Sequence, residues 1–159
     1  MPEATGAPTR NSKVTLQEIT ADTVRAVCRL AVTEKQNQFV APNAVSIAQA
    51  HFNEHAWFRA IYADETPVGF VQLYDDGTKP EYFLWRMMID ARYQGMGFGR
   101  RAMALLIDYV RTRPGATELV TSVVQGDGSP QGFYERLGFE LTGDFEGGEA
   151  VLKLKLAES

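Results

Sequence analysis

The run Gln94-Gly95-Met96-Gly97-Phe98-Gly99-Arg100 sets three glycines at alternate positions and ends on a basic residue. It follows an apolar stretch, residues 82–89. It precedes a segment in which Phe98, Ala102, Leu105, Leu106 and Tyr109 recur at helical spacing. Glycine lets a backbone turn sharply and come close to a ligand. The first amides of a helix have no partner inside it and lie at the positive end of its dipole, about half an elementary charge. Together these features make an anion site, and a pyrophosphate fits it. Arg100 and Arg101 add full charges within reach of a phosphate. Two other phosphate loops do not match. A P-loop requires Lys-Ser/Thr after its last glycine, where this chain has Arg100-Arg101. A dinucleotide loop spaces its glycines GxGxxG in the first βα unit, whereas this loop is GxGxG and lies mid-chain. Taken alone, the loop also suits a glycine turn with no ligand.

Other reactive residue types carry less. A single cysteine, Cys28, cannot close an internal disulfide, which fits a reducing compartment. It lies in an apolar run with Val24, Val27 and Ala31 and reads as a structural thiol. His51 and His55 stand four apart without a third ligand or an HExxH pattern, so no metal is expected. The chain of 159 residues has a net charge of -4. That balance lacks the basic face of a nucleic-acid binder. No apolar run reaches the roughly 18 residues of a membrane span. Neither nucleic acid nor a membrane is therefore an expected partner. Residues 1–12 have no apolar signal-peptide core and read as a disordered tail, and a cytoplasmic location is expected.

The elements that must position the glycine loop follow from patterning. Residues 13–19 alternate and read as a strand. Thr20 or Asp22 caps a helix running to about Thr33. After a polar stretch, 34–40, Asn43 caps a second helix that reaches about Glu54. Residues 58–63 and 66–73 form a hairpin, and 75–80 a loop. The run 82–89 suits a central strand covered on both faces. The helix after the glycine loop stops at Pro114-Gly115. Residues 119–124 form a strand, and Ser129-Pro130 opens a helix that ends at Gly138. Strands at 139–142 and 151–156 close the chain. The order βααβββαβαββ describes a mixed α/β domain over residues 13–156 with one central sheet.

Three segments in order carry a resemblance. Gln94-x-x-Gly97-x-Gly99 resembles the acetyl-CoA signature of the GNAT family of N-acetyltransferases. Phe83-Leu84-Trp85-Arg86-Met87-Met88-Ile89-Asp90 is similar to that family's fourth strand, and Tyr134-x-x-x-Gly138-Phe139 to a segment downstream of it. The resemblance covers residues 13–156. It implies a mostly antiparallel sheet of about seven strands with four helices, splayed between strands four and five. It implies direct transfer of acetyl from acetyl-CoA to a primary amine, with no metal. Backbone groups of Met87, Met88 and Ile89 would pair with pantetheine, an amide near Met88 would stabilise the oxyanion, and Gln94, Gly95, Met96, Gly97, Phe98, Gly99 and Arg100 would hold the pyrophosphate. Tyr134 would protonate the leaving thiolate, since a phenol with pKa about 10 carries its proton at neutral pH.

Departures and acceptor readings follow. Many family members have Asn and Ala where this chain has Asp127 and Pro130. An ionised Asp127 can accept a hydrogen bond from pantetheine but cannot donate one. Glu34-Lys35-Gln36-Asn37-Gln38-Phe39-Val40-Ala41-Pro42-Asn43 and Ser46-Ile47-Ala48-Gln49-Ala50 resemble the first-helix region of bacterial spermine/spermidine-type members. That implies a polyamine acceptor, bound by a segment that includes Glu34, Phe39 and Asn43, with Trp85 as an aromatic wall. A carboxylate would help to neutralise the amine: Glu81, which by alternation shares a side with Phe83 and Trp85, or Glu34, and either could instead bind a second, distal ammonium. Phe52, Trp57 and Tyr74 are further aromatic candidates for an ammonium pocket. A homodimer is a family-level expectation. Other acceptors on the same scaffold (a protein N-terminus, an aminoglycoside, an amino acid) and a non-catalytic acyl-CoA sensor remain open.

Overall fold

Residues Thr66–Asp76 and Glu81–Ile89 carry apolar side chains toward both faces, and they become the two central strands. The computed structural model describes residues 6–156. Among these, seven strands appear: β1 Val14–Gln17, β2 Ala56–Ala63, β3 Thr66–Asp76, β4 Glu81–Ile89, β5 Glu118–Val123, β6 Glu140–Glu146 and β7 Glu149–Lys155. Four α-helices accompany them: α1 Val24–Arg29, α2 Asn43–His51, α3 Phe98–Arg111 and α4 Gln131–Arg136. One sheet holds every strand, in the order β1-β2-β3-β4-β5-β7-β6. All neighbours pair antiparallel except β4 and β5, which run parallel because α3 carries the chain across between them.

Each face of the sheet has its own core. Leu73, Leu84, Phe98, Leu106, Leu119 and Leu152 form the larger cluster, on the face covered by α3 and α4. Val27, Leu30, Ala60, Phe70 and Met88 form the smaller one, under α1 and α2. Burying each such side chain contributes roughly 1.5–3 kcal/mol before chain entropy is subtracted. Helix α3 buries Phe98, Ala102, Met103, Leu106 and Val110, whereas Leu105, expected inside, is 38% exposed.

Several boundaries differ from the sequence reading for local reasons. Helix α1 is short, because a Thr20–Thr23 turn precedes it and Leu30 turns extended. The polar stretch after it is a 3-10 helix, Glu34–Phe39, closed by a capping box between Thr33 and Gln36. Strand β3 runs on to Asp76 because both aspartates find partners. Asp76 accepts from Thr78 N (3.0 Å) and Asp75 from Arg113 Nε (2.8 Å). Of the expected tail, residues 1–5 lie outside the described residues, while 9–12 form a turn. The carbonyls of Arg10 and Ser12 there accept from Arg101 (3.0 and 2.7 Å).

Two irregularities in β4 position the site. Leu73 pairs with Leu84 but Gln72 pairs with Arg86, so Trp85 is the extra residue of a β-bulge. The bulge leaves Glu81 and Phe83 in regular register and shifts the alternation after it, so that Leu84 enters the α3-side core but Met88 the α1–α2-side one. On the other edge, β4 meets β5 only at Phe83–Val120 and Leu84–Thr121. Beyond that point the two strands part.

Candidate active site

The side chain of Thr121 ends the pairing, its Oγ1 donating to Leu84 O at 3.0 Å. From Trp85 to Ile89 the β5-side edge of β4 is open. Which backbone groups face the opening follows from their neighbours. Asp90 N donates to Val68 O (2.8 Å), and a Cβ on Gly69 would collide with the Met88 carbonyl. Met88 and Asp90 therefore face β3, and by alternation the amides of Met87 and Ile89 face the gap. Of the three residues expected to pair with pantetheine, Met88 thus turns its backbone groups to β3, and the amides near it that face the gap are those of Met87 and Ile89. The Ile89 carbonyl is already taken, by Gln94 Nε2 at 2.9 Å.

A cavity of about 1080 Å³ joins this gap to the glycine loop. Gly95 (φ +82°) and Gly97 (φ +83°) are both left-handed, which L side chains rarely adopt, and Gly97 caps α3. Gly99 lies on the first turn of α3 beside Phe133, whose ring a Cβ would meet at 3.3 Å. So the loop brings the start of α3 against α4. Gln94, Gly95, Gly97, Phe98, Gly99 and Arg100 all line the cavity. Met96 does not; its side chain packs into the α3-side core and its carbonyl accepts from Arg101. Arg101 is likewise not aimed at an anion. Its guanidinium is consumed by the carbonyls of Arg10, Ser12, Met96 and Gly97, whereas Arg100 is exposed at the wall.

Tyr134 lines the same cavity from α4. It is 5% exposed, packed edge-on against Phe133 and Phe139. Burial pushes its phenol well above the ordinary value, so it keeps its proton. The glycine loop, the start of α3 and α4 thus form the α3–α4 side of the cavity wall.

The structure separates the other predicted residues. Phe39 and Trp85 line the cavity. Glu34 is exposed and away from the wall. Asn43 is 2% exposed and donates to Val27 O at 2.9 Å, tying α2 to α1; Pro42, not Asn43, is the cap. Glu81 begins β4, at about 3.3 Å per residue roughly 13 Å from Trp85, and is exposed. Asp127 is also outside the wall, in an exposed ion pair with Lys35 (2.8 Å) that holds its carboxyl below the usual range. Trp57 stacks on Tyr109 and Tyr74 leans on His55, both away from the cavity, and Phe52 is 86% exposed.

Three residues that patterning did not single out do line it: Arg86, Ser122 and Glu149. Val123 and Ala150 enter the α3-side core, so their neighbours Ser122 and Glu149 point to the opposite face, where Ser122 Oγ donates to Glu149 Oε1 at 3.0 Å. Arg86 Nη2 reaches Gln49 Oε1 of α2 (3.3 Å), on that same face. No single stretch of sequence signals this group, because it is assembled by sheet order. Among the described residues no cluster of His, Cys, Asp and Glu suits a metal, and no helix is long and apolar enough to cross a membrane.

Known proteins share this fold. The acetyltransferase (GNAT) family model matches residues 24–139. The spermine/spermidine N(1)-acetyltransferase of Bacillus subtilis is 25% identical over 151 residues, covering 88% of this chain and 97% of that protein. An L-2,4-diaminobutyric acid acetyltransferase of Streptomyces avermitilis is 35% identical over 66 residues, covering 41% and 37%. The PaiA N-acetyltransferase of Thermoplasma acidophilum, solved in complex with coenzyme A, has the same fold. Its TM-score is 0.69 at 16% identity, covering 90% of this chain and 99% of that one. The Escherichia coli ribosomal-protein-S18-alanine N-acetyltransferase superposes with a TM-score of 0.69 at 19% identity, covering 92% and 96%. With its seven-stranded sheet parting between β4 and β5, this chain belongs to the acetyltransferase (GNAT) family and is an N-acetyltransferase.

Proposed function

We propose that this protein transfers the acetyl group of acetyl-CoA directly to a primary amine, with the two substrates meeting in the gap between β4 and β5. One observation carries the reading: the open edge of β4 and the left-handed glycine turn at the start of α3 line a single cavity. The residues present suit coenzyme A. Free amides at Gly95–Gly97 and the start of α3, with exposed Arg100 beside them, suit a pyrophosphate. The backbone of Met87 and Ile89 offers the hydrogen-bonding edge that a pantetheine amide needs. Acetyl-CoA supplies a thioester whose acyl carbon accepts the amine. Tyr134 holds a proton at the cavity wall for the departing sulfur.

The amine must be neutral to attack, and alkyl amines have pKa values near 10. The base role expected of Glu81 passes to Glu149, the carboxylate in the cavity wall, half-buried and held by Ser122. For the acceptor, likeness to the Bacillus spermine/spermidine enzyme along most of both chains supports a polyamine. The diaminobutyric acid and alanine acetyltransferases among the relatives support amines of other kinds. Release of free CoA across a panel of polyamines, diamines, amino acids, peptides and aminoglycosides decides the matter. Turnover with spermidine or spermine and none with peptides is the polyamine outcome. Tight acetyl-CoA binding without turnover on any amine would instead mark a sensor module.

A further inference from the structure

Arg86 is a charge without an ion-pair partner. It is half-buried in the cavity wall, yet among the described residues it forms no ion pair. Its Nη1 donates to Trp85 O (3.0 Å) and its Nη2 to Gln49 Oε1 (3.3 Å), both neutral acceptors, and its Nε is buried with no partner. A guanidinium has five N–H donors, so three remain unused. The surroundings repeat the pattern. Gln72, the register partner of Arg86 on β3, is fully buried with both amide atoms unpartnered. Ser46, one turn before Gln49 on α2, is fully buried with its hydroxyl unpartnered. These are the buried side-chain atoms lacking partners among the described residues, and all sit on or beside the elements that flank Arg86. A buried polar atom without a partner costs roughly 1–3 kcal/mol, so this group of atoms is costly until something pairs with it.

Across the mouth of the gap stands the opposite charge. Burial holds the Arg86 guanidinium below its ordinary value; the charge of Glu149 acts the other way but forms no ion pair with it. A cation on β4 and an anion on β7 thus face one opening, both on the α1–α2 side of the sheet, away from the glycine loop. A polyamine would meet Glu149 favourably and Arg86 unfavourably. An amine that also carries a carboxylate would meet both well.

We propose that Arg86 is the carboxylate-recognising residue of the acceptor site, and that the acceptor is an amino-acid-type amine whose carboxylate lies on Arg86 while its amines lie toward Glu149. This rests on the acetyl-transfer reading and narrows its acceptor. No new bond chemistry is involved; the amine is acetylated, CoA is released and Arg86 only positions and selects.

The test uses matched pairs that differ by one carboxylate: 2,4-diaminobutyrate against 1,3-diaminopropane, and lysine against cadaverine. CoA release is measured with the wild type, Arg86→Met and Arg86→Lys. In the wild type the diamino acid of a pair should be favoured in kcat/KM by about 10- to 100-fold, the worth of a charge-assisted hydrogen bond. In Arg86→Met that ratio should collapse toward one, through KM for the diamino acid. Arg86→Lys should restore part of it. A coenzyme A thermal shift on each variant shows that the fold and the cofactor side are intact. Equal use of both members of each pair by the wild type overturns the inference and leaves acetyl transfer standing. So does an unchanged ratio in a folded Arg86→Met. Absence of CoA release with every class of amine sinks acetyl transfer itself, and the inference with it.

Discussion

The two mouths of the cavity are built from different materials. On the α3–α4 face the site is backbone: seven consecutive residues, 94–100, turn at two left-handed glycines and open a helix. On the α1–α2 face it is side chains: Arg86 from β4, Ser122 from β5, Glu149 from β7 and Gln49 from α2. The first mouth offers amides, which suit an invariant group such as a pyrophosphate. The second offers charges that any exchange of residue would alter. A family that keeps one donor and changes its acceptor needs this division, and the relatives' different acceptors sit on the same fold.

The largest break in that comparison is expected where the two mouths meet. Tyr134→Phe removes the phenolic hydroxyl proposed as the acid but keeps the ring among Phe133 and Phe139. Turnover should fall by about 100- to 1000-fold, the range for a lost general acid, with KM for acetyl-CoA nearly unchanged. An unchanged rate would remove Tyr134 from the mechanism. The pH profile gives an independent check. Burial raises the phenol's pKa, so Tyr134 stays protonated over the range in which alkyl amines lose their protons. The rate should climb with pH toward about 10 without a downturn from Tyr134. A descending limb with an apparent pKa well below 10, absent in Tyr134→Phe, would contradict the buried acid.

A smaller effect sharpens the contrast between backbone and side chains. Gly97→Ala adds a Cβ whose nearest contacts are the flexible guanidinium ends of Arg100 and Arg101, at 3.5 and 3.9 Å. There is room, so the cost is conformational: roughly 1–2 kcal/mol for an L residue at φ +83°. KM for acetyl-CoA should rise about tenfold, as the loop relaxes away from its amide-forward shape, and KM for the amine should not. If both rise together, the glycine turn is supporting the whole fold rather than one mouth.

The same division explains what the sequence made legible. A left-handed backbone is written in glycine, and a helix face in its period, so the loop, α3 and the element order were all readable before the structure. Side-chain sites across a sheet leave no local mark. Glu149 follows a Gly-Gly hairpin turn and reads as a solvated acid until β7 is laid against β5, bringing it to Ser122. The bulge at Trp85 is invisible to a period-2 rule: counted from Leu84 in the α3-side core, alternation would put Arg86 and Met88 on that face, whereas both lie on the other. Asn43 has the composition of a cap or a ligand, and only the packing of α1 on α2 shows that its amide serves the Val27 carbonyl.

The smallest expected effect is also the sharpest test of placement. Glu81 and Asp127 were both assigned to the site on sequence grounds, and both lie off the cavity wall. Asp127 is mostly in solvent, as is its partner Lys35, at 90% and 61% exposure of the side chains. Such pairs contribute little, because water screens them and two long side chains must be held still. Glu81 has no reach: about 13 Å of β4 separate it from the bulge, more than twice what one water can bridge. Glu81→Gln and Asp127→Asn should therefore each change kcat/KM by less than about twofold, within the scatter of ordinary surface substitutions. Lowering of the Asp127 pKa by Lys35 gives it charge at any working pH, so acidification to about pH 5 should not alter this result. A tenfold loss in Glu81→Gln, with coenzyme A binding intact, would mean that the far end of β4 communicates with the gap. The acceptor mouth would then extend beyond Arg86 and Glu149 along the strand.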